Sequence, residues 1–396
     1  MRIAFLTHAF PYPVEKDGHT VIAHYLLKEL SQRHKIALFC FGDKNDRINL
    51  NKITDYGIKV DLHQRPIRTL PLYYLSKWLK HIAWFQYRLY TKAMVLKIKE
   101  LDNSSDYDLI YVHSPYMSAY LKHIKKKPVV FSYIDALSSW YQQFNKVTRN
   151  PLKKIHYMHE CRMAKLLEKN VLPSLKSTIV VSKIDAEIIN RLSPKANITV
   201  IPNGVDLKFF RLSTTPPEPN TIIFSGTMNY PPNVKAVLDF NEKAWPKLKK
   251  MHPDIHWTIV GKNPTLDIFE LQSHDSQITV TGYVKDIRTY IWRSAIYVSP
   301  LSICTGFKNI IIEAMACGKA VVASSVSLTG FPIIDRENVM VANSTDEFVE
   351  KISFLLANPE KRQRMEKKAQ DFAKLYDWNT TVNNYEKVME QAISHD

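Results

Sequence analysis

A chain of 396 residues is long enough for about two or three domains, each burying its own core without disulfide staples, which excludes a small cross-linked scaffold. Apolar residues make up 45% and charged residues 23%, globular proportions with no low-complexity stretch to suggest disorder. The formal charge of +16 lies wholly in one half: residues 1–200 hold 32 Lys and Arg against 16 Asp and Glu, whereas residues 201–396 hold 22 of each, so the first half is expected to face something anionic.

Short apolar runs alternate with longer amphipathic segments, the rhythm of a parallel βαβ sheet. The run after Met1-Arg2 ends at Pro11-Tyr12-Pro13 without a cleavage-site pattern, and no window holds about 18 uncharged apolar residues, so neither a leader nor a spanning helix is expected. Strands are expected at Ile3 to Thr7, Ile36 to Phe41, Ile58 to Leu62, Leu109 to His113, Pro128 to Ser132, Thr178 to Ser182 and Ile198 to Ile201, with a helix from about His19 to Arg33. The rhythm restarts after the polar, proline-containing stretch Ser213 to Asn220. Strands then follow at Thr221 to Ser225, His256 to Gly261, Ile278 to Thr281, Ile296 to Pro300 and Ala320 to Ala323. From about Thr345 the chain reads as two or three helices, the last from Trp378. Cys40, Cys161, Cys304 and Cys317 show no Cys-x-x-Cys spacing, which suits core thiols in a reducing cytoplasm.

Ligands of open parallel sheets sit beyond the carboxyl ends of the strands, and that rule sorts the candidates. Gly18, in the turn after the first strand, is either a helix-start glycine or a place where backbone approaches a ligand. His113 ends its strand on the ligand side, although a lone histidine is more often structural. Asp106-Tyr107-Asp108 has the spacing of a metal clamp but precedes its strand, at the amino edge, where solvated acids are ordinary. Ser225 to Asn233 follows a strand and opens a helix, so it can offer backbone donors to an anion. No G-x-G-x-x-G or phosphate-loop lysine motif is present, which argues against a Rossmann dehydrogenase or P-loop ATPase.

The most specific stretch is Thr305-Gly306-Phe307-Lys308-Asn309-Ile310-Ile311-Ile312-Glu313-Ala314-Met315-Ala316-Cys317-Gly318-Lys319-Ala320-Val321-Val322-Ala323-Ser324. A loop of small residues leads into a helix whose first amides can hold a pyrophosphate, while Glu313 can present a carboxylate to two adjacent ribose hydroxyls. The plainer alternative is an amphipathic helix with an ordinary exposed Glu. The stretch resembles the nucleotide-sugar signature of retaining GT-B glycosyltransferases, group 1 (family four). Similar wording stands at Asn203 to Asp206, Ser225 to Tyr230, Val260 to Pro264 and Val280 to Asp286. Together with Ile134 to Ser138 it resembles the subgroup tied to exopolysaccharide and exosortase-associated loci.

That resemblance implies an α/β chain with two Rossmann-like domains facing each other across a cleft. Residues 1–205 would form an acceptor-side domain, 206–376 a nucleotide-sugar domain, and 377–396 a helix crossing back to the first. It makes Glu313 the ribose ligand and Gly306, Phe307, Lys308 and Asn309 the phosphate and sugar cradle. His113 would lie beside the reacting sugar, Gly18 near the diphosphate, and Gly226, Lys235 and Lys262 on the donor. Most members carry a Glu where this chain has Thr305, and the subgroup often has Asn-Lys where this chain has Asn309-Ile310, with the lysine here shifted earlier, to Lys308. The implied reaction moves a sugar from a nucleoside diphosphate sugar to a hydroxyl with retention, without metal or cofactor, in surface-glycan synthesis. A non-catalytic relative acting as a scaffold is the alternative.

Residues 70–100 interleave Tyr73, Tyr74, Trp78, Trp84, Phe85, Tyr87 and Tyr90 with Lys77, Lys80, Arg88, Lys92, Lys97 and Lys99. That composition suits either a helix lying on an anionic membrane, reaching a glycan or lipid-linked acceptor from the cytoplasmic face, or an ordinary helix with core rings and solvated lysines. Lys122 and Lys125 to Lys127 add positive surface. No nucleic-acid-binding module accompanies the charge, so nucleic acid is not expected as a partner.

Overall fold

A computed structural model describes residues 1–14, 17–66, 83–148, 150–303 and 306–394, which fall into two compact units. The first is built of Met1–Pro202 and Asn379–Asp396, the second of Asn203–Trp378.

The first unit is a seven-stranded parallel sheet. In chain order its strands are β1 (Arg2–Thr7), β2 (Lys35–Gly42), β3 (Lys59–Gln64), β4 (Leu109–His113), β5 (Val129–Ile134), β6 (Ser177–Val180) and β7 (Ile198–Val200). In space they run β3-β2-β1-β4-β5-β6-β7. All neighbours pair parallel, so β1 and β2 and the whole of β4 are buried on both faces and read as unbroken apolar runs. Helix Gly18–Leu30 links β1 to β2; Asp17 caps it by accepting from the Thr20 amide, and Ile22, Ala23, Leu26, Leu27 and Leu30 form its inward face. Helix Trp378–Ser394 completes the unit, with Tyr385 edge-on to Tyr111 at 6.3 Å and Glu386 paired with both Arg33 and His34.

The second unit is a six-stranded parallel sheet of β8 (Thr221–Ser225), β9 (His256–Val260), β10 (Ile278–Val280), β11 (Ile296–Ser299), β12 (Ala320–Ala323) and β13 (Met340–Val341), ordered β10-β9-β8-β11-β12-β13. The two-residue β13, paired with the end of β12, is the one strand without a sequence signal. The chain enters and leaves this unit side by side, since the Val205 amide donates to Tyr376 O at 2.7 Å and Val205 bridges Asp377. Gly204 is required there: a Cβ would stand 2.5 Å from the Trp378 ring.

Helix Pro151–Asn170 buries two carboxylates. Glu160 accepts from the Trp84 and Phe85 amides at 2.9 and 3.0 Å and so holds the start of helix Trp84–Tyr87. Glu168 accepts from Tyr133 Oη and the Ser138 amide, both at 3.0 Å, and burial raises its carboxyl above the usual range. Glu168→Ala leaves both donors unpaired and is expected to lower the unfolding free energy by roughly 3 kcal/mol, read as a shifted urea midpoint at constant slope.

Residues 70–82 of the aromatic and basic segment, with Tyr73, Tyr74, Lys77, Trp78 and Lys80, lie outside the described residues. In the described remainder Phe85, Leu89, Met94, Ile98 and Leu101 are core, while Lys92 and Lys99 face solvent. Of its rings, Phe85 is core, whereas Trp84, Tyr87 and Tyr90 are half-buried.

Candidate active site

In each sheet the strand order reverses once, between β1 and β4 and between β8 and β11. The crevice outside the carboxyl ends of such a pair is where open α/β sheets take ligands.

In the second unit, β8 ends at Ser225, whose hydroxyl meets Tyr297 Oη of β11 at 2.9 Å. The loop that follows is joined to the loop after β9: the Gly226 amide donates to Val260 O at 3.0 Å and the Met228 amide to Lys262 O at 2.9 Å. A Cβ on Gly261 would stand 1.6 Å from Gly226 O, so only glycine permits this approach. Asn233 locks the loop from helix Pro231–Lys243, its Nδ2 donating to Thr227 O at 3.0 Å. Gly226 and Lys262 are thereby brought together.

β11 leads through the signature loop into helix Asn309–Ala316. Gly306 has a φ of 65°, the left-handed region that favours glycine. The Lys308 ammonium lies 5.8 Å over the Tyr230 ring, which sets the signature loop beside the Gly226 loop. Amides at a helix start lie ahead of its first intrahelical bonds, here that of the Ile311 amide to Lys308 O at 3.1 Å, so those of Asn309 and Ile310 can offer donors to an anion. Glu313 lies one turn inside the helix. Burial alone pushes its carboxyl up to about 7, and no hydrogen bond or ion pair reaches it among the described residues. A desolvated carboxylate without a cation is costly to keep ionised and is a common mark of a functional position.

Other expected residues are placed differently. The Phe307 ring is buried against Phe331 at 4.2 Å and Tyr376 at 5.5 Å, a packing role for the side chain that leaves only its backbone for a cradle. Asn309 Oδ1 accepts from Asn203 Nδ2 at 2.9 Å, tying the signature helix to the Asn203 segment. Lys235 pairs with Asp239 at 2.6 Å on an exposed helix face, one turn apart, an ordinary surface pair. Thr305 lies outside the described residues.

In the first unit, His113 is fully buried and both ring nitrogens are engaged within the unit. Nε2 lies 2.9 Å from His19 O, and a carbonyl only accepts, so Nε2 carries the proton and Nδ1 accepts from Tyr111 Oη at 3.3 Å. Burial, then the neighbouring His19, holds the imidazole down to about 3, which keeps it neutral. Two further histidines that the sequence reading missed, His8 and His19, stand beside it; each follows or opens an element at the same sheet edge. Asp108 lies at the amino end of β4 and accepts from Arg2, at 2.8 Å from its amide and 3.1 Å from Nε.

Gly18 has open space around its Cβ position within 4 Å. Gly18→Ala is therefore expected to leave the melting temperature unchanged or slightly raised, alanine being the better helix former. A sugar-transfer rate lowered about tenfold or more would show that a ligand occupies that space.

Residues 16–209 match the model of Glycosyltransferase Family 4 and residues 219–358 that of Glycosyl transferases group 1. A phosphatidyl-myo-inositol mannosyltransferase of Mycolicibacterium smegmatis is 29% identical over 200 residues, 48% of this chain and 51% of that protein. The chain thus spans about half the length of the curated relatives it matches first. Among solved structures, the Anabaena Alr3699/HepE complex with UDP superposes with a TM-score of 0.70 at 16% identity, covering 99% of this chain and all of the other. A sucrose-phosphate synthase of Thermosynechococcus elongatus reaches 0.72 at 16% identity over the full length of both. Likeness at that identity establishes the fold, the GT-B class of two Rossmann-like domains.

Proposed function

We infer that this chain, both units of which carry glycosyltransferase domains, moves a sugar from a nucleoside diphosphate sugar to a hydroxyl acceptor. The observation that carries the reading is Glu313: a desolvated, unpaired carboxylate one turn into the helix whose start adjoins the joined Gly226 and Lys262 loops. A ribose supplies two adjacent hydroxyl donors to such a carboxylate, and a diphosphate supplies acceptors for the amides at the helix start. The solved relatives crystallised with UDP and with UDP-glucose favour the same class of donor.

Loss of a diphosphate builds negative charge on the leaving oxygen. Fixed amide dipoles near residues 306–309, assisted by Lys308 and Lys262, would stabilise it where it develops. Such catalysis consists chiefly of positioning. Retention at the anomeric carbon, with the departing phosphate taking the acceptor's proton, is the route we favour. It gives His113 a positioning part, since both its nitrogens are occupied. A glycan or lipid-linked acceptor at an anionic membrane face suits the +16 carried by the first half, and the product would be a cell-surface polysaccharide.

The test is incubation with UDP-, GDP- and ADP-sugars and detection of the released nucleotide, with Glu313→Ala in parallel. One donor should be consumed by the parent chain and spared by the variant. No release with any donor, and no change of melting temperature on adding nucleoside diphosphates, would instead favour a non-catalytic scaffold.

A further inference from the structure

The edge where β1 and β4 end carries more positive and unsatisfied chemistry than a single positioning histidine needs. His8 follows β1, His19 opens the next helix, Arg65 follows β3 and Arg88 follows helix Trp84–Tyr87. The rings of His8 and His19 are 5.3 Å apart, and both lie against Tyr116, at 5.1 and 5.7 Å. The Arg88 guanidinium lies 4.4 Å from the Tyr116 ring centre. His8 is 7% exposed. Its Nδ1 has no hydrogen-bond partner among the described residues, nor have His19 Nδ1 and Arg65 Nε, all three buried atoms. Buried polar atoms in folded proteins are nearly always paired, and three unpaired ones near one strand edge point to a ligand that pairs them.

The charges facing the spot decide its sign. His8 is surrounded by His19, His113, Arg88 and Arg65, and burial together with these groups drives its imidazole well below the ordinary range. Asp17 faces His19, His113 and Tyr116, and Asp135 faces Tyr116; Asp17 already accepts from the Thr20 amide and hydroxyl at 2.8 and 2.9 Å. A dianion is the group that such a field attracts and that unpaired imidazole and guanidinium N–H groups can bind.

We propose that this cluster is an anion seat for the acceptor: a phosphate group on the acceptor binds among His8, His19 and Arg88, with Arg65 adding charge behind. The proposal rests on the reading that the first unit takes the acceptor, and it narrows that acceptor to a phosphate-bearing one. A bound dianion reverses the local field, so the imidazoles become easier to protonate and binding is accompanied by proton uptake.

Inorganic sulfate is the probe, because it stays dianionic where phosphate itself titrates. Calorimetric titration of the full chain at pH 6, in two buffers of different ionisation enthalpy, should show sulfate binding with uptake of a fraction of a proton. The affinity should fall as the pH is raised. Arg88→Gln, at an exposed position, should weaken binding about tenfold with an unchanged far-ultraviolet spectrum. His8→Asn should lower the proton uptake, leaving the part that belongs to His19. Glycerol 3-phosphate and vesicles containing phosphatidic acid, both phosphomonoesters, are then competed against sulfate, and the one that displaces it tells a soluble acceptor from a lipid-borne one. Absence of sulfate binding, indifference to both variants, or displacement by neither competitor overturns the proposal. Displacement by UDP with the same sensitivity to Arg88→Gln also overturns it, by giving the seat to the donor diphosphate while leaving the sugar-transfer reading intact. Failure of that reading would appear separately, as absence of nucleotide release in the donor panel.

Discussion

Glu313→Gln is expected to make the protein more stable at pH 8 while weakening nucleotide binding by about ten- to a hundredfold, the loss of one or two hydrogen bonds to a charged acceptor. The stability half follows from a carboxyl whose folded value is pushed up to about 7 with burial as its cause and no cation to offset it. A raised acid value means that the folded state binds more protons than the unfolded one between roughly pH 4.5 and 7. Folding therefore loses stability as the pH rises through that window, by at most about 3 kcal/mol, less whatever solvent screening remains. Glutamine keeps the shape and carries no charge, so the variant should melt higher at pH 8 and level with the parent below about pH 5. Ribose hydroxyls donate to the ionised form. Nucleotide affinity in the parent should thus fall from pH 8 to pH 6 more steeply than in the variant. Equal melting at pH 8, with unchanged nucleotide affinity, would remove Glu313 from the site.

The second large effect belongs to Gly261→Ala. The added methyl would stand 1.6 Å from a backbone oxygen, that of Gly226, which cannot step aside as a flexible side chain could. Relief requires the two loops to part, breaking the Gly226 and Met228 amide bonds to Val260 and Lys262 and loosening the Asn233 lock. A loss of more than about 3 kcal/mol is expected, seen as a much lowered thermal transition of the second unit. Any protein that does fold should bind nucleotide poorly, because Lys262 and the Gly226 loop would have moved. The contrast with Gly18 is the useful control, since a methyl there meets open space. A Gly261→Ala protein that melts like the parent would show that the two loops are not in contact.

Strands were legible where burial on both faces turned them into unbroken apolar runs. β4, β8 and β12 begin and end at the residues where apolar chemistry and flanking punctuation placed them. The expected runs Ile296 to Pro300 and Thr178 to Ser182 extend one and two residues past the strand ends at Ser299 and Val180; Ser182 instead caps the next helix. β13 is too short to carry any period. In the signature, the backbone role of Gly306 was readable because a left-handed position has few tenants, whereas the fates of Phe307 and Lys235 depended on partners. The Phe307 ring is claimed by Phe331 and Tyr376 and the Lys235 ammonium by Asp239, choices that spacing alone does not announce. The buried Glu160 and Glu168 were invisible for the same reason. Their acceptors' work is done on amides up to 76 residues away along the chain, while in the sequence they look like two more charges on a helix.

The neighbouring entry and exit of the chain at Val205 and Asp377 also bear on how the protein assembles. Helix Trp378–Ser394 is synthesised after the second unit, so the face of the first sheet around Tyr111 stays uncovered while that unit emerges from the ribosome. Were that intervening stretch still a random coil, closing a loop of roughly 170 residues would oppose docking of the helix. Once folded, it short-circuits the loop to a few residues, which lowers the entropic barrier by about 2.5 kcal/mol. Maturation is accordingly expected to be ordered, the later lobe becoming native first and handing helix Trp378–Ser394 to the earlier one.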